Sequence, residues 1–197
     1  MKENYFYAML SRMKYINRWG LMRNSRSENL CEHSLEVAFI AHALGVINNK
    51  VFNGDLDPEH LAVLGMYHDT PEIITGDMPT PIKYYSAVIR DAYADVEKVA
   101  VKELLDGVPE EFRSVYEDLL TENDEEKTEW LYIKAADKIS AYLKCVDERN
   151  SGNTDFLDAE RSTLQAIEKM GLKEADYFME KFAPAYMQTL DESADRN

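Results

Sequence analysis

His33 leads a run of apolar residues, Val37, Ile40, Ala41, Leu44 and Ile47, that recur at the spacing of one helix face. Such a stripe commits the segment to an amphipathic helix packed against a core, with an imidazole at its buried end. A similar arrangement follows later. Leu61, Leu64 and Gly65 share a face with His68 and Glu72, in a segment reading Tyr67-His68-Asp69-Thr70-Pro71-Glu72. Burying imidazoles and carboxylates requires a partner for each, and a metal ion is the simplest partner that satisfies several at once.

Helical periodicity runs through most of the chain. Phe6, Leu10, Met13 and Asn17 mark a first helix, and a loop follows from about 20 to 30. Asn53-Gly54-Asp55 is a turn signal. Asp57-Pro58 reads as the cap and first-turn proline of a helix that runs through His68 to Ile74. The segment Gly76-Asp77-Met78-Pro79-Thr80-Pro81 ends it as a short, stiff loop. Further helices are expected at about 83–106, 109–120, 125–149, 154–170 and 173–190, before a polar tail at 191–197. No run alternates over a strand's length and no segment repeats. The expected fold is all-α, a single-domain helical bundle over residues 1–190, since 197 residues can fill one core and no linker divides them.

A formal net charge of −15 argues against nucleic-acid polymers and anionic membranes as partners. There is no unbroken run of 18 apolar residues and no charged-then-apolar amino terminus, so a cytoplasmic protein is expected. Cys31 and Cys145 are too few for a disulfide framework and read as reduced core residues. The acids are unevenly spread. Residues 4–27 contain no Asp or Glu but do contain Arg12, Lys14, Arg18, Arg23 and Arg26. Such a basic island is either a solvated helix face or a local site for a small anion such as a phosphate.

Four candidate ligands stand on three predicted helices: His33, the pair His68-Asp69, and Asp137, which lies among Ile133, Ala136, Ser140 and Ala141. Taken singly, each has an ordinary alternative. Asp137 could pair with Lys134 or Lys138, and His33 could be a first-turn polar residue. His42 and His60 remain unassigned. Taken together, two imidazoles and two carboxylates make a nitrogen and oxygen shell without sulfur, suited to one divalent ion such as Mn, Co, Fe, Mg or Zn. The sequence has no His-Glu-x-x-His, no Cys-x-x-Cys, no EF-hand loop and no glycine-rich phosphate loop.

An early helical histidine, a His-Asp doublet about 35 residues on and a distant aspartate resemble the HD superfamily of metal-dependent phosphohydrolases. The likeness is closer still to the bacterial HD-domain 5′-deoxynucleotidases. It is carried by Asn17-Arg18-Trp19, Glu28-Asn29 to Glu32-His33-Ser34, Tyr67-His68-Asp69 to Glu72, Thr75 to Pro81, Lys134 to Asp137 with Ala141-Tyr142, and Asp176-Tyr177-Phe178. The resemblance implies an HD-type bundle, a divalent metal, a homodimer, and hydrolysis of deoxyribonucleoside 5′-monophosphates to deoxyribonucleoside and phosphate. It implies that His33, His68, Asp69 and Asp137 hold the metal. It also implies that Arg18 orients the phosphate, Trp19 contacts the nucleoside, and Asp77, Met78, Pro79 and Thr80 line the substrate site. His33, Asp69 and Asp137 are then near the substrate as well. Met78 stands where relatives carry a leucine-like residue, a conservative difference.

Glu72, one turn beyond His68, is the expected acid/base group, with Asp77 as the competing candidate. Trp19 and the Met78-Pro79 segment could form a wall at the 2′ position, because an apolar pocket alone rejects an added hydroxyl only by about 100-fold. The rival readings are an HD phosphohydrolase acting on nucleoside polyphosphates or cyclic nucleotides, and a non-catalytic nucleotide-binding module.

Overall fold

Two helices that start with different caps set the frame. A computed structural model describes residues 4–83, 85–122, 127–189 and 191–192. Asn29 opens α2 (Leu30–Val51): its side-chain oxygen accepts the Cys31 and Glu32 amides at 3.0 and 3.1 Å, and Glu32 accepts the Asn29 amide in return. Asp57 opens α3 (Pro58–Tyr67), accepting the His60 amide at 3.0 Å with Pro58 in the first turn, as expected.

The remaining helices are α1 (Phe6–Leu10), α4 (Glu72–Thr75), α5 (Thr80–Lys83), α6 (Ala87–Asp106), α7 (Arg113–Leu120), α8 (Lys127–Asn150), α9 (Leu157–Met170) and α10 (Lys173–Lys181). Short 3₁₀ turns stand at Met13–Tyr15, Glu110–Phe112, Thr154–Phe156 and Ala183–Met187. No strand occurs among the described residues. One isolated bridge, Asn17 to Asn29, closes the loop that carries Arg18 and Trp19. The fold is all-α, as expected.

Helix α2 is the spine, packed along α3 and α8 and crossed by α10. Val37, Ile40, Ala41, Leu44 and Ile47 form its buried stripe and meet Leu61, Leu64, Ile133, Ala136 and Ile139. A smaller apolar cluster joins Phe6, Met13 and Leu30 to Ile73, Leu104 and Leu105. By length and composition alone α2 could cross a membrane, but 56% of its apolar window is buried inside the protein.

Several boundaries differ from expectation. The first helix stops at Leu10, because the chain turns through a 3₁₀ segment to pair Asn17 with Asn29. The helix expected to run to Ile74 ends at Tyr67, and a tight turn separates it from α4. Thr70, wholly buried, caps that turn by bonding the Tyr67 carbonyl through its hydroxyl at 2.7 Å and its amide at 3.1 Å. Thr80-Pro81 starts a helical turn instead of extending the loop, since a first-turn proline lacks only a donor the helix does not use. Cys31 is exposed on the outer side of α2, two residues from the inward-facing His33, and only Cys145 is buried. Of the expected tail, Asp191 and Glu192 are described and 193–197 lie outside the described residues, as does the expected helix start at 125–126.

The loop between residues 20 and 29 is bolted to α8 by a buried carboxylate. Glu148 pairs with Lys144, accepts the Ser25 amide at 2.8 Å and the Asn153 side chain at 2.7 Å, while Lys144 donates to the Arg26 carbonyl at 2.6 Å. Burial would raise the Glu148 carboxyl, but Lys144, Asn153 and Ser25 outweigh it and hold it at about 2.

Gly65 marks where α3 touches α2. A Cβ there would come within 2.9 Å of the Ala38 Cα and 3.0 Å of the Ala38 amide nitrogen, contacts that backbone cannot relieve by rotating a side chain. Gly65→Ala should therefore lower stability by about 1–3 kcal/mol, read as a fall in the thermal midpoint; an unchanged midpoint would mean that the two helices can move apart freely.

Candidate metal centre and substrate cavity

The α2 spine delivers His33 to the centre of the bundle with no solvent exposure. The turn after α3 brings His68 and Asp69 opposite it, and α8 brings Asp137. His33 Nε2 lies 3.4 Å from Asp69 Oδ2 and 3.2 Å from Asp137 Oδ1. His68 Nε2 lies 3.2 Å from the same Asp69 oxygen. One ligand atom from each of His33, His68 and Asp69 falls within 4.8 Å of the others, the compactness a single ion requires. The sequence placed these four residues on three segments, and the fold gathers His33, His68 and Asp69 into one cluster with Asp137 beside His33.

The imidazoles are aimed, not merely adjacent. His68 Nδ1 is fixed by the Gly65 carbonyl at 2.8 Å, which turns Nε2 toward Asp69. Nε2 of both histidines is buried without a hydrogen-bond partner. Two orphaned imidazole nitrogens beside two carboxylate oxygens fit a divalent cation, and this donor set suits Mn, Co, Fe, Mg or Zn. Burial pushes the Asp137 carboxyl up, but the neighbouring His33 ring and the Arg18 guanidinium outweigh it and hold it at about 2. The alternative pairings for Asp137 are not used: Lys134 bonds Glu122 at 2.7 Å, and Asp137 instead faces Arg18 at 3.7 Å.

Arg18 enters from the 17–29 loop and is nearly buried. Its guanidinium donates to Glu28 at 3.1 Å and lies 2.8 Å from His33 Nδ1. Of the five cations in the acid-free stretch, Arg23 and Arg26 make exposed pairs with Asp155 and Glu32, and Arg18 goes to the site. Trp19 follows in a left-handed conformation, φ 61°, that costs a non-glycine residue about 1–3 kcal/mol. Three contacts hold it there. Its amide donates to Asp77 Oδ2 at 3.1 Å, its indole N–H donates to Glu28 at 3.0 Å, and its ring packs on Phe156 with centroids 5.3 Å apart.

Arg18, Trp19, Asp77, Met78, Pro79 and Thr80 line one cavity of about 680 Å³, large enough for a nucleotide. His33, Asp69 and Asp137 are not part of its wall; Arg18 spans the two regions. Sequence reasoning missed the far wall, where α9 contributes Asp158, Ala159, Ser162 and Thr163. It also left Glu28 without a role, although Glu28 is the first acid after the acid-free stretch. Glu72 has a buried oxygen with no partner. Burial first, then the charges of Asp69 and Asp77, push its carboxyl to about 9, so it is protonated at neutral pH.

Comparison with known proteins adds to this geometry. Residues 5–186 match the family model described as 5′-deoxynucleotidase YfbR-like. The chain is 49% identical over 192 residues to a 5′-deoxynucleotidase of Vibrio atlanticus, covering 98% of this chain and 99% of that one. It is 48% identical over 195 residues to the 5′-deoxynucleotidase YfbR of Shigella flexneri, covering 98% and 96%. Its fold is similar to that of an HD-domain phosphohydrolase from Listeria innocua, with a TM-score of 0.81, 23% identity, and 96% and 91% coverage. It is also similar in fold to a cyanophage S-2L HD phosphohydrolase solved bound to dA and one catalytic Zn²⁺, with a TM-score of 0.62, 18% identity, and 90% and 95% coverage.

The raised carboxyl of Glu72 has a consequence for stability. Between the ordinary carboxyl pKa and about 9 the folded protein retains a proton that the unfolded chain releases, so Glu72 costs stability progressively as pH rises through that window. Glu72→Gln removes that cost. In metal-free protein its thermal midpoint should gain on the parent as pH rises from 5 to 9, and parallel curves would count against a buried, protonated Glu72.

Proposed function

The chain belongs to the YfbR-like family of 5′-deoxynucleotidases, and on that premise we propose how its residues hydrolyse deoxyribonucleoside 5′-monophosphates to deoxyribonucleoside and inorganic phosphate. One observation carries the reading: two partnerless imidazole nitrogens and two carboxylates converge beside a buried arginine that also lines a nucleotide-sized cavity.

His33, His68, Asp69 and Asp137 hold one divalent ion. When bound, the ion supplies positive charge for the phosphate and lowers the pKa of water, the two demands of monoester hydrolysis. Arg18 clamps phosphate oxygens with its planar fork of donors, held in reach by Glu28. Trp19, fixed by Asp77 and Glu28, forms with Met78 and Pro79 the wall against which the deoxyribose packs. A rigid indole at that place leaves no room to satisfy a 2′-hydroxyl, which favours the deoxy sugar. Thr80 completes that side of the cavity.

Glu72 delivers the proton to the leaving 5′-oxygen. Being protonated at neutral pH and buried without a partner at one oxygen, it matches a general acid. Asp77 accepts the Trp19 amide and so is assigned to positioning the Arg18-Trp19 loop instead. A polyphosphate chain would call for further cations. Lys83, which adds charge near Glu72, is bonded to Glu97 at 2.9 Å, and this favours the monophosphate.

The test is phosphate release from deoxyadenosine and adenosine 5′-monophosphates by metal-stripped protein, with Co, Mn, Mg, Fe or Zn returned singly. Metal-dependent release from the deoxy substrate is expected, falling to background in Asp69→Ala. No release with any ion would overturn the reading. Glu72→Gln should lower kcat by about 10²–10⁴-fold with KM little changed, and parent activity should decline on the alkaline side, where the buried acid loses its proton. Trp19→Ala should bring the rates on the two sugars together; an undiminished deoxy preference would place the selectivity elsewhere.

A further inference from the structure

His33 Nδ1 has two neighbours that make opposite demands. Ser140, wholly buried on α8 three residues beyond Asp137, places its hydroxyl oxygen 3.1 Å away. That hydroxyl donates its single hydrogen to Glu36 Oε2 at 2.6 Å, so its oxygen is left to accept, and Nδ1 must carry the proton. Arg18, whose guanidinium contains only donors, lies 2.8 Å from the same Nδ1 and needs it bare. A proton on Nδ1 leaves the Nε2 lone pair free to bind a metal; a bare Nδ1 puts the proton on Nε2, facing Asp69 and Asp137.

We propose that Glu36 and Ser140 are positioning residues that hold His33 in its metal-binding tautomer and displace Arg18 toward the cavity it already lines. The proposal rests on the reading of His33 as a ligand. Its geometry comes from two helices that each present a pair three residues apart, His33 with Glu36 on α2 and Asp137 with Ser140 on α8. Each helix therefore supplies one ligand and one supporting group. Glu36 is not part of the substrate cavity's wall and opens onto a second cavity of about 320 Å³, lined also by Glu28, Glu32, Lys144 and Tyr186. When an ion takes Nε2, only the Ser140 hydrogen bond remains compatible with Nδ1, and the Arg18 donor that faced the imidazole becomes available to a phosphate oxygen.

The experiment titrates metal-stripped, full-length protein with Co²⁺ alone, reading bound metal by equilibrium dialysis and by visible absorption, with no substrate present. Ser140→Ala and Glu36→Ala should each weaken Co²⁺ binding by about 10–100-fold. The double variant should bind no more weakly than Ser140→Ala, because Glu36 acts only through the hydroxyl. Glu36→Gln, which keeps an acceptor oxygen, should recover most of the affinity. Should Ser140→Ala fail to fold, the half-buried Glu36 variants carry the test. Single variants that bind Co²⁺ within twofold of the parent, or losses that add in the double variant, would overturn the relay. A parent that takes up no Co²⁺ would overturn the metal centre itself.

Discussion

An imidazole with no solvent exposure must satisfy both ring nitrogens inside the protein, and His33 is such an imidazole. Much of the site can be derived from that requirement. Nε2 faces a pair of carboxylates, from the α3–α4 turn and from α8, without a hydrogen bond to either, and so three distant segments share one point where an ion would complete the set. Nδ1 is met by Ser140 and Arg18, which ties a second position of α8 and the 17–29 loop to the same ring. The apolar stripe below His33 supplies the rigidity. Val37, Ile40, Ala41 and Leu44 are locked into the core, so the ring at the head of the stripe cannot withdraw to water.

The 17–29 loop shows how a strained conformation can be sustained. Trp19 at φ 61° is unfavourable in isolation, and its loop has no regular structure to hold it. The bridge between Asn17 and Asn29 closes the base of the loop, Glu28 receives both the Arg18 guanidinium and the Trp19 indole, and the Glu148–Lys144 pair anchors Ser25 and Arg26 to α8. Asn29 caps α2, which carries His33, and the Glu148–Lys144 pair stands on α8, which carries Asp137. Displacing the loop would therefore disturb the metal cluster, and the arginine and indole are held in fixed relation to it.

Much of this was legible in the sequence, for identifiable reasons. Helix periodicity revealed α2 and α8 because each buries one face along its whole length, and Asp57-Pro58 marked the start of α3 because capping is a local interaction. The break between Tyr67 and Glu72 was not legible. Helical spacing continues through it, and only the buried Thr70 hydroxyl, bonded back to Tyr67, discloses the turn. The candidate ligands could be listed because His and Asp on apolar stripes are costly without a partner. Ser140 and Glu36 could not, since a serine within a small-residue stripe and a glutamate on a helix both have ordinary explanations. The α9 wall was invisible for a further reason: the packing of one helix end against a loop more than 130 residues earlier leaves no local mark.

On the proposed reading, charge balance lets one arginine serve a dianionic substrate in a protein of net charge −15. Asp69 and Asp137 would together offset a divalent ion and Glu28 offsets Arg18, while burial raises the carboxyl of Asp77, which also lines the cavity. Any further ionised carboxylate would repel the phosphate across a low-dielectric space where such repulsion is large. Glu72 is the group positioned to do so. Burial is the largest of the causes that raise its carboxyl to about 9, and burial persists when an ion compensates Asp69, which favours an uncharged Glu72. The same lack of solvation that keeps it from opposing binding leaves it holding a proton. On the proposed reading the leaving 5′-oxygen takes that proton, so the electrostatic condition for admitting the substrate and the chemical condition for releasing the product would be met by one buried side chain.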